Sequence, residues 1–89
     1  MTMDPTEIIN NCINILDQIF NDESVPRNIR QSADNVKNVL SNEKEPPSVR
    51  AAMVISALDE MGNDPNVPLH TRTLIWGLSS QLESIPVDE

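Results

Sequence analysis

Four kinds of side chain in this sequence could do chemistry. They are one thiol, Cys12; one imidazole, His70; a group of carboxylates, of which Asp17, Asp59 and Glu60 could converge; and three arginines in a recurring setting, Arg30, Arg50 and Arg72. A catalytic site needs such a group poised beside an acid, a base or an orienting partner in a pocket. One Cys and one His cannot build a four-ligand zinc site or an internal disulfide. Cys12 falls on the apolar stripe of the first helical segment, the setting of a buried, inert thiol and not of a nucleophile. His70 follows Pro68-Leu69 in the first turn of the fourth segment, and solvent is its expected surrounding. Di-metal carboxylate bundles use Glu-x-x-His pairs, which this chain lacks; a glycine-rich phosphate loop is missing as well. The expectation is no catalytic residue, no cofactor and no metal.

The arginines share the pattern Pro-x-x-x-Arg, at Pro26 and Arg30, Pro46 and Arg50, and Pro68 and Arg72. An Arg four residues after a helix-opening Pro lies near the positive end of the helix dipole, which costs a few tenths of a kcal/mol unless an acid is close. Asp22 and Asp64, in the turns just before, are the expected partners of Arg30 and Arg72, and Glu43 or Glu45 could serve Arg50. Such pairs would pin turns. A ligand-binding cluster would instead require three guanidinium groups converging in space.

Positioning these groups falls to four segments of helical length, divided by Pro, Gly and cap-type residues and each carrying apolar residues at spacings of three and four. The first, about residues 5–21, opens with Asp4 as cap, Pro5 in the first helical position and Glu7 where a capping-box acid would sit. Its stripe is Ile8, Cys12, Ile15 and Ile19, widened by Ile9, Ile13, Leu16 and Phe20. The second, about 25–41, runs through Pro26 and puts Ile29, Ala33, Val36 and Leu40 on one face. The third, about 47–61, has Ala51, Val54, Ile55, Leu58 and Met61 on its stripe, with Gly62 as a C-terminal stop. The fourth, about 67–85, lines up Thr71, Leu74, Ile75, Leu78, Leu82 and Ile85 until Pro86. No stretch alternates with period two and aromatics are only 2%, so strands are not expected.

Shifting the chain by 42 residues aligns Leu16-Asp17 with Leu58-Asp59, Asn21-Asp22 with Asn63-Asp64, Val25-Pro26 with Val67-Pro68, Arg30 with Arg72 and Leu40 with Leu82. Repeats of about 40 to 47 residues built from two helices point to HEAT-type units. Two such units are fewer than a stack needs. The expected architecture is therefore all-α: a single domain over 1–89, a four-helix up-and-down bundle made of two similar HEAT-like helical hairpins.

The two halves differ on one face. Trp76 and Leu69 fall opposite the stripe of the fourth segment, and their equivalents in the first half are Asp34 and Arg27. A position charged in one half is apolar in the other. Between Leu69 and Ile85 only Arg72 and Glu83 carry formal charge, while Thr73, Gly77 and Ser80 complete the second face around Trp76. On the third segment Val49, Ala52 and Met53 lie off the main stripe. Leu69, Thr73, Trp76, Ser80, Val49 and Met53 therefore form either extra packing surface inside the monomer, the usual place for a single Trp, or a partner-binding patch. Gly77, in mid-helix, is expected to mark a close helix approach.

Fourteen acids against six basic residues give a net charge of −8, so phosphate backbones and anionic lipid are repelled by the average surface. The expectation is no direct nucleic-acid partner and no membrane partner. No apolar run approaches about 18 residues and no basic region precedes an apolar stretch at the N-terminus, which argues against membrane spans and signal peptides. One cysteine fits a reducing cytoplasm.

The runs Asn21-Asp22-Glu23-Ser24-Val25-Pro26-Arg27-Asn28-Ile29-Arg30, Val49-Arg50-Ala51-Ala52, Leu58-Asp59-Glu60 and Asp64-Pro65-Asn66-Val67-Pro68-Leu69-His70-Thr71-Arg72-Thr73-Leu74-Ile75-Trp76 resemble the archaeal uncharacterised protein family zero-one-four-seven over nearly the whole chain. The resemblance implies a cytoplasmic archaeal protein of helical-bundle fold without an assigned activity, so it transfers no functional residue. From the residues themselves, the expected function is a non-enzymatic protein-interaction module or small structural adaptor, engaging another protein or a second copy of itself. The alternative is a small-ligand or metal-binding bundle that uses the acids and the repeated arginines.

Overall fold

Asp4 begins the described structure by capping the first helix: its carboxylate accepts the Thr6 amide at 2.8 Å, and Pro5 occupies the first turn, where no amide proton is needed. The computed structural model describes residues 4–86, so the ends of the expected 1–89 domain, residues 1–3 and 87–89, lie outside it. Four helices follow in order: α1 (Pro5–Phe20), α2 (Arg27–Leu40), α3 (Pro47–Gly62) and α4 (Leu69–Glu83). The chain is all-α, with no strand among the described residues. Each helix packs on the next, α4 closes against α1, and α1 also meets α3.

The second and fourth helices start two residues later than their apolar stripes suggest. Pro26, Pro46 and Pro68 are N-caps with extended ψ angles of 146°, 154° and 153°, not residues of the first turn. The cause is visible in the loops, which share one hydrogen-bond pattern. The side chains of Asp22, Asn42 and Asp64 each accept the amide two residues on, from Ser24 at 2.9 Å, Lys44 at 3.1 Å and Asn66 at 2.8 Å. Backbone bonds from Val25 to Asp22, Glu45 to Asn42 and Val67 to Asp64 close the same turn each time. Side chains that bond their own backbone in this way stop a helix from extending backwards through them. The loop therefore recurs three times, so one helix plus one turn repeats as well as the 42-residue pair. α4 ends at Glu83, with Ile85 folded back by a bond from its amide to the Leu82 carbonyl.

One core holds the helices together. Ile9, Cys12, Leu16 and Ile19 meet Ala33 and Leu40, Val54 and Leu58, and Ile75, Leu78 and Leu82, all nearly or fully sealed from solvent. Val25 and Val67, from two of the loops, join them. Removing each large aliphatic chain from water is worth about 1.5–3 kcal/mol. Thr71 is the only polar side chain buried among the described residues, and its hydroxyl has no hydrogen-bond partner.

The glycines exchange the roles expected of them. A Cβ built on Gly77 meets nothing within 4 Å, so no helix approaches closely there. Its φ is not positive either. Gly77→Ala should therefore raise stability by roughly 1 kcal/mol through helix propensity alone. For a domain of this size that is an upward shift in melting temperature of about 4–8 °C by circular dichroism; a decrease would restore the close-approach explanation. Gly62, expected as a simple stop, is the residue that lets a neighbour come close.

Candidate interaction surface

α4 turns two different sides outward and inward. Thr71, Ile75, Leu78 and Leu82 are buried, and at about 100° per residue the opposite side carries Leu69, Thr73, Trp76 and Ser80, all exposed. Leu69 is 71% and Trp76 56% exposed, so of the two alternatives the sequence leaves open, packing inside the monomer is not the one adopted. Met53, at 58%, and Val49, at 39%, are also on the surface. All six residues singled out in the sequence therefore face solvent. Val49 and Met53 point away from the core on α3, and Trp76 reaches across to the end of α3 at Gly62.

That crossing is the best-defined feature of the surface. A Cβ on Gly62 would lie 3.2 Å from Nε1 of Trp76, 3.5 Å from its Cδ1 and 3.5 Å from Cγ2 of Ile75. The indole edge rests on the bare backbone of Gly62, and its N–H makes no hydrogen bond to a described residue. Shifted by 42 residues, Gly62 corresponds to Phe20 and Trp76 to Asp34. In the first hairpin the bulky ring comes from the end of the first helix, in the second from the middle of the second helix, and the opposing residue is small or polar. Comparing the two halves of the sequence points to Trp76 and misses Gly62, although the loss of Phe20's equivalent is the signal that could find it.

The turn-pinning chemistry is also not as expected. Arg72 donates to the backbone carbonyls of Asp64 at 3.0 Å and Val67 at 3.4 Å, and Arg50 to the carbonyl of Leu40 at 2.8 Å. Neither guanidinium bonds the carboxylate expected for it, because the helix-end and turn carbonyls stand closer to its reach and need a donor. The Arg30 side chain makes no hydrogen bond to a described residue, with Asp22 or otherwise. The three arginines do not converge, since Arg50 and Arg72 are each committed to their own loop.

Asp22 has taken other partners. Its carboxylate accepts the Ser24 hydroxyl at 2.6 Å and the Ser24 amide, and its second oxygen lies 2.9 Å from Nε2 of His70. His70 is exposed, as expected of it, and in addition latches the first loop to the start of α4. The Ser24 hydroxyl first, then His70 and the Ser24 amide, lower the pKa of Asp22 to about 2. A lowered carboxylate contributes stability above its unfolded pKa of about 3.9 and loses it as pH falls through the folded value. The Asp22→Asn variant should therefore show a shallower loss of melting temperature than the parent between about pH 4 and pH 2. Parallel acid limbs for the two proteins would show that the latch adds nothing.

Asp17 accepts Nζ of Lys37 at 2.7 Å, and that bond raises the pKa of the lysine. Asn11 on α1 donates to Gln81 on α4 at 2.7 Å. Asp17, Asp59 and Glu60 do not form a cluster; among the described residues no group of three or more His, Cys, Asp or Glu could hold a metal ion. Burial pushes the Cys12 thiol up to about 11, so it is protonated and unreactive at neutral pH. No helix among the described residues is long and apolar enough to cross a membrane.

These features define a small all-α domain whose distinguishing surface is an exposed aromatic seated on a glycine, with no metal-holding group of His, Cys, Asp or Glu among the described residues. The chain belongs to the Uncharacterised protein family (UPF0147), whose model matches residues 1–85. A relative from Methanosarcina acetivorans is 59% identical over 97% of this chain and 89% of its own length. One from Methanocaldococcus jannaschii is 51% identical over 91% and 87%. Two crystal structures are similar. The unknown-function protein MMP1188 has a TM-score of 0.89 at 46% identity, covering 98% of this chain and 99% of that one. The UPF0147 protein of Thermoplasma acidophilum has a TM-score of 0.82 at 44% identity, covering 88% and 92%. The family is uncharacterised and of unknown function.

Proposed function

We propose that this protein is a non-enzymatic interaction module, a small cytoplasmic adaptor of twin HEAT-like hairpins that docks another protein on the outward face of α4. One observation carries the reading: the single Trp is 56% exposed, braced from behind by Gly62, with an indole N–H that bonds no described residue and Leu69 exposed two turns away. Aromatic anchors of this kind, an apolar body with one unsatisfied donor, dominate the energy of protein interfaces. The partner is a protein with a basic rim around an apolar pocket, because a net charge of −8 attracts cationic surfaces and repels a second copy.

Affinity capture from native archaeal lysate, with the parent and Trp76→Ala proteins side by side, tests the proposal. A basic protein retained by the parent, lost with the variant and weakened by raised salt supports it. Retention by both proteins, or concentration-dependent dimers in sedimentation with no heterologous partner, would overturn it.

A further inference from the structure

The spot that carries Leu69, Thr73 and Trp76 in the second hairpin has a counterpart in the first, and the chemistry there is opposite. Shifted by 42 residues, Leu69 becomes Arg27, Thr73 becomes Gln31 and Gly62 becomes Phe20. In the first hairpin these residues line a cleft of about 420 Å³ together with Asn21, Glu23 and Arg30. That volume suits a small organic ligand.

Arg30 differs from the other two loop arginines in its terminal nitrogens, which bond no described residue. In all three loop arginines Nε is sealed from water with no hydrogen-bond partner. Arg50 and Arg72 compensate by spending their terminal nitrogens on backbone carbonyls, and Arg30 does not. Only Nε of Arg30 is sealed; the residue is half-buried, and its terminal nitrogens, which bond no described residue, remain open to an acceptor in the cleft. Arg27 adds a second cation on the same wall. Both stand in the first turn of α2, which has no acidic residue and no side-chain cap, so its free amides add to the positive field. Phe20, 42% exposed, supplies an apolar wall, and Asn21 and Gln31 supply neutral hydrogen-bonding groups. Glu23 stands in the same lining and, with the acidic surface beyond, disfavours a long polyanion.

We propose that this cleft binds a small phosphate monoester with a flat or apolar body, its phosphate held by Arg27 and Arg30 and its body laid against Phe20. Two arginines offer the bidentate, charge-assisted bonds that a phosphate accepts best. The site is independent of the α4 docking face and survives its failure.

The test uses the full chain, titrated with adenosine monophosphate, inorganic phosphate and adenosine and followed by amide shifts in nuclear magnetic resonance and by calorimetry. Adenosine monophosphate should bind saturably with shifts confined to residues 20–31, inorganic phosphate should bind the same residues more weakly, and adenosine should bind at least about tenfold more weakly than the monophosphate. Arg30→Gln and Arg27→Gln should each weaken the monophosphate about tenfold or more, as expected when a charge-assisted pair is lost. Trp76→Ala should leave it unchanged. Arg27 is exposed, so its variant carries the result even if Arg30→Gln fails to fold. Equal binding of adenosine, shifts outside residues 20–31, or no saturable response to either phosphate-bearing probe would overturn the proposal.

Discussion

Truncating Leu78 to alanine is expected to destabilise the domain by about 2–5 kcal/mol, the range for a fully enclosed leucine whose neighbours cannot collapse into the space. Leu78 has no solvent exposure and stands on the inward side of α4 between Ile75 and Leu82, which are enclosed as well. A chain of 89 residues has one core and a total stability in the ordinary range of about 5–15 kcal/mol, so the loss removes a large share of the folded state. Urea denaturation followed by far-ultraviolet circular dichroism should show the midpoint fall with an unchanged slope. Leu78→Met, which conserves volume, should cost under about 1.5 kcal/mol. A loss under about 1 kcal/mol from the alanine variant would mean that α4 is loosely packed and that its inward and outward sides are not distinct.

The inward side is legible in the sequence because burial imposes a period. Spacing alone puts Ile29, Ala33, Val36 and Leu40 on the core side of α2, and all four are buried. α1 is less clear, since its apolar residues cover so much of the helix that the stripe can be drawn through Ile15 or through Leu16. The structure buries Leu16 and leaves Ile15 partly covered. Periodicity decides which side of a helix is apolar, and neighbouring helices decide its centre.

Other features leave no local trace. Nothing in the spacing joins Asp22 to His70, 48 residues apart in the chain, because that contact depends on how the first loop meets the start of α4. The expected pairing of Asp64 with Arg72 is reasonable in charge but neglects the backbone, whose unpaired carbonyls compete for the same guanidinium. A glycine's position in its helix suggests one role, whereas its effect depends on what stands opposite: open space at Gly77 and an indole at Gly62. The exposed surface can be located in the sequence only by comparing the two halves, since Trp76 shows its oddity beside Asp34 and not by itself.

Replacing Trp76 with alanine should separate binding from folding, which Leu78→Ala, two residues away on the opposite side of the helix, cannot do. More than half of Trp76 is already in water and its support is the edge contact on Gly62, so stability should change by no more than about 1 kcal/mol. Affinity for the proposed partner should fall at least about thirtyfold, equivalent to the roughly 2 kcal/mol that marks a dominant interface residue. Trp76→Phe distinguishes the two parts of the anchor: it keeps an aromatic surface and removes the indole N–H, so an intermediate affinity assigns the remaining loss to that donor. Gly62→Ala approaches the same site from below, pressing a methyl group to 3.2 Å from Nε1 and tilting the ring outward. It should shift Trp76 emission and weaken binding while the helical spectrum is unchanged. If Trp76→Ala instead lowers the melting temperature as far as Leu78→Ala does, the indole serves the fold of α3 and α4, and the docking role of this surface fails with it.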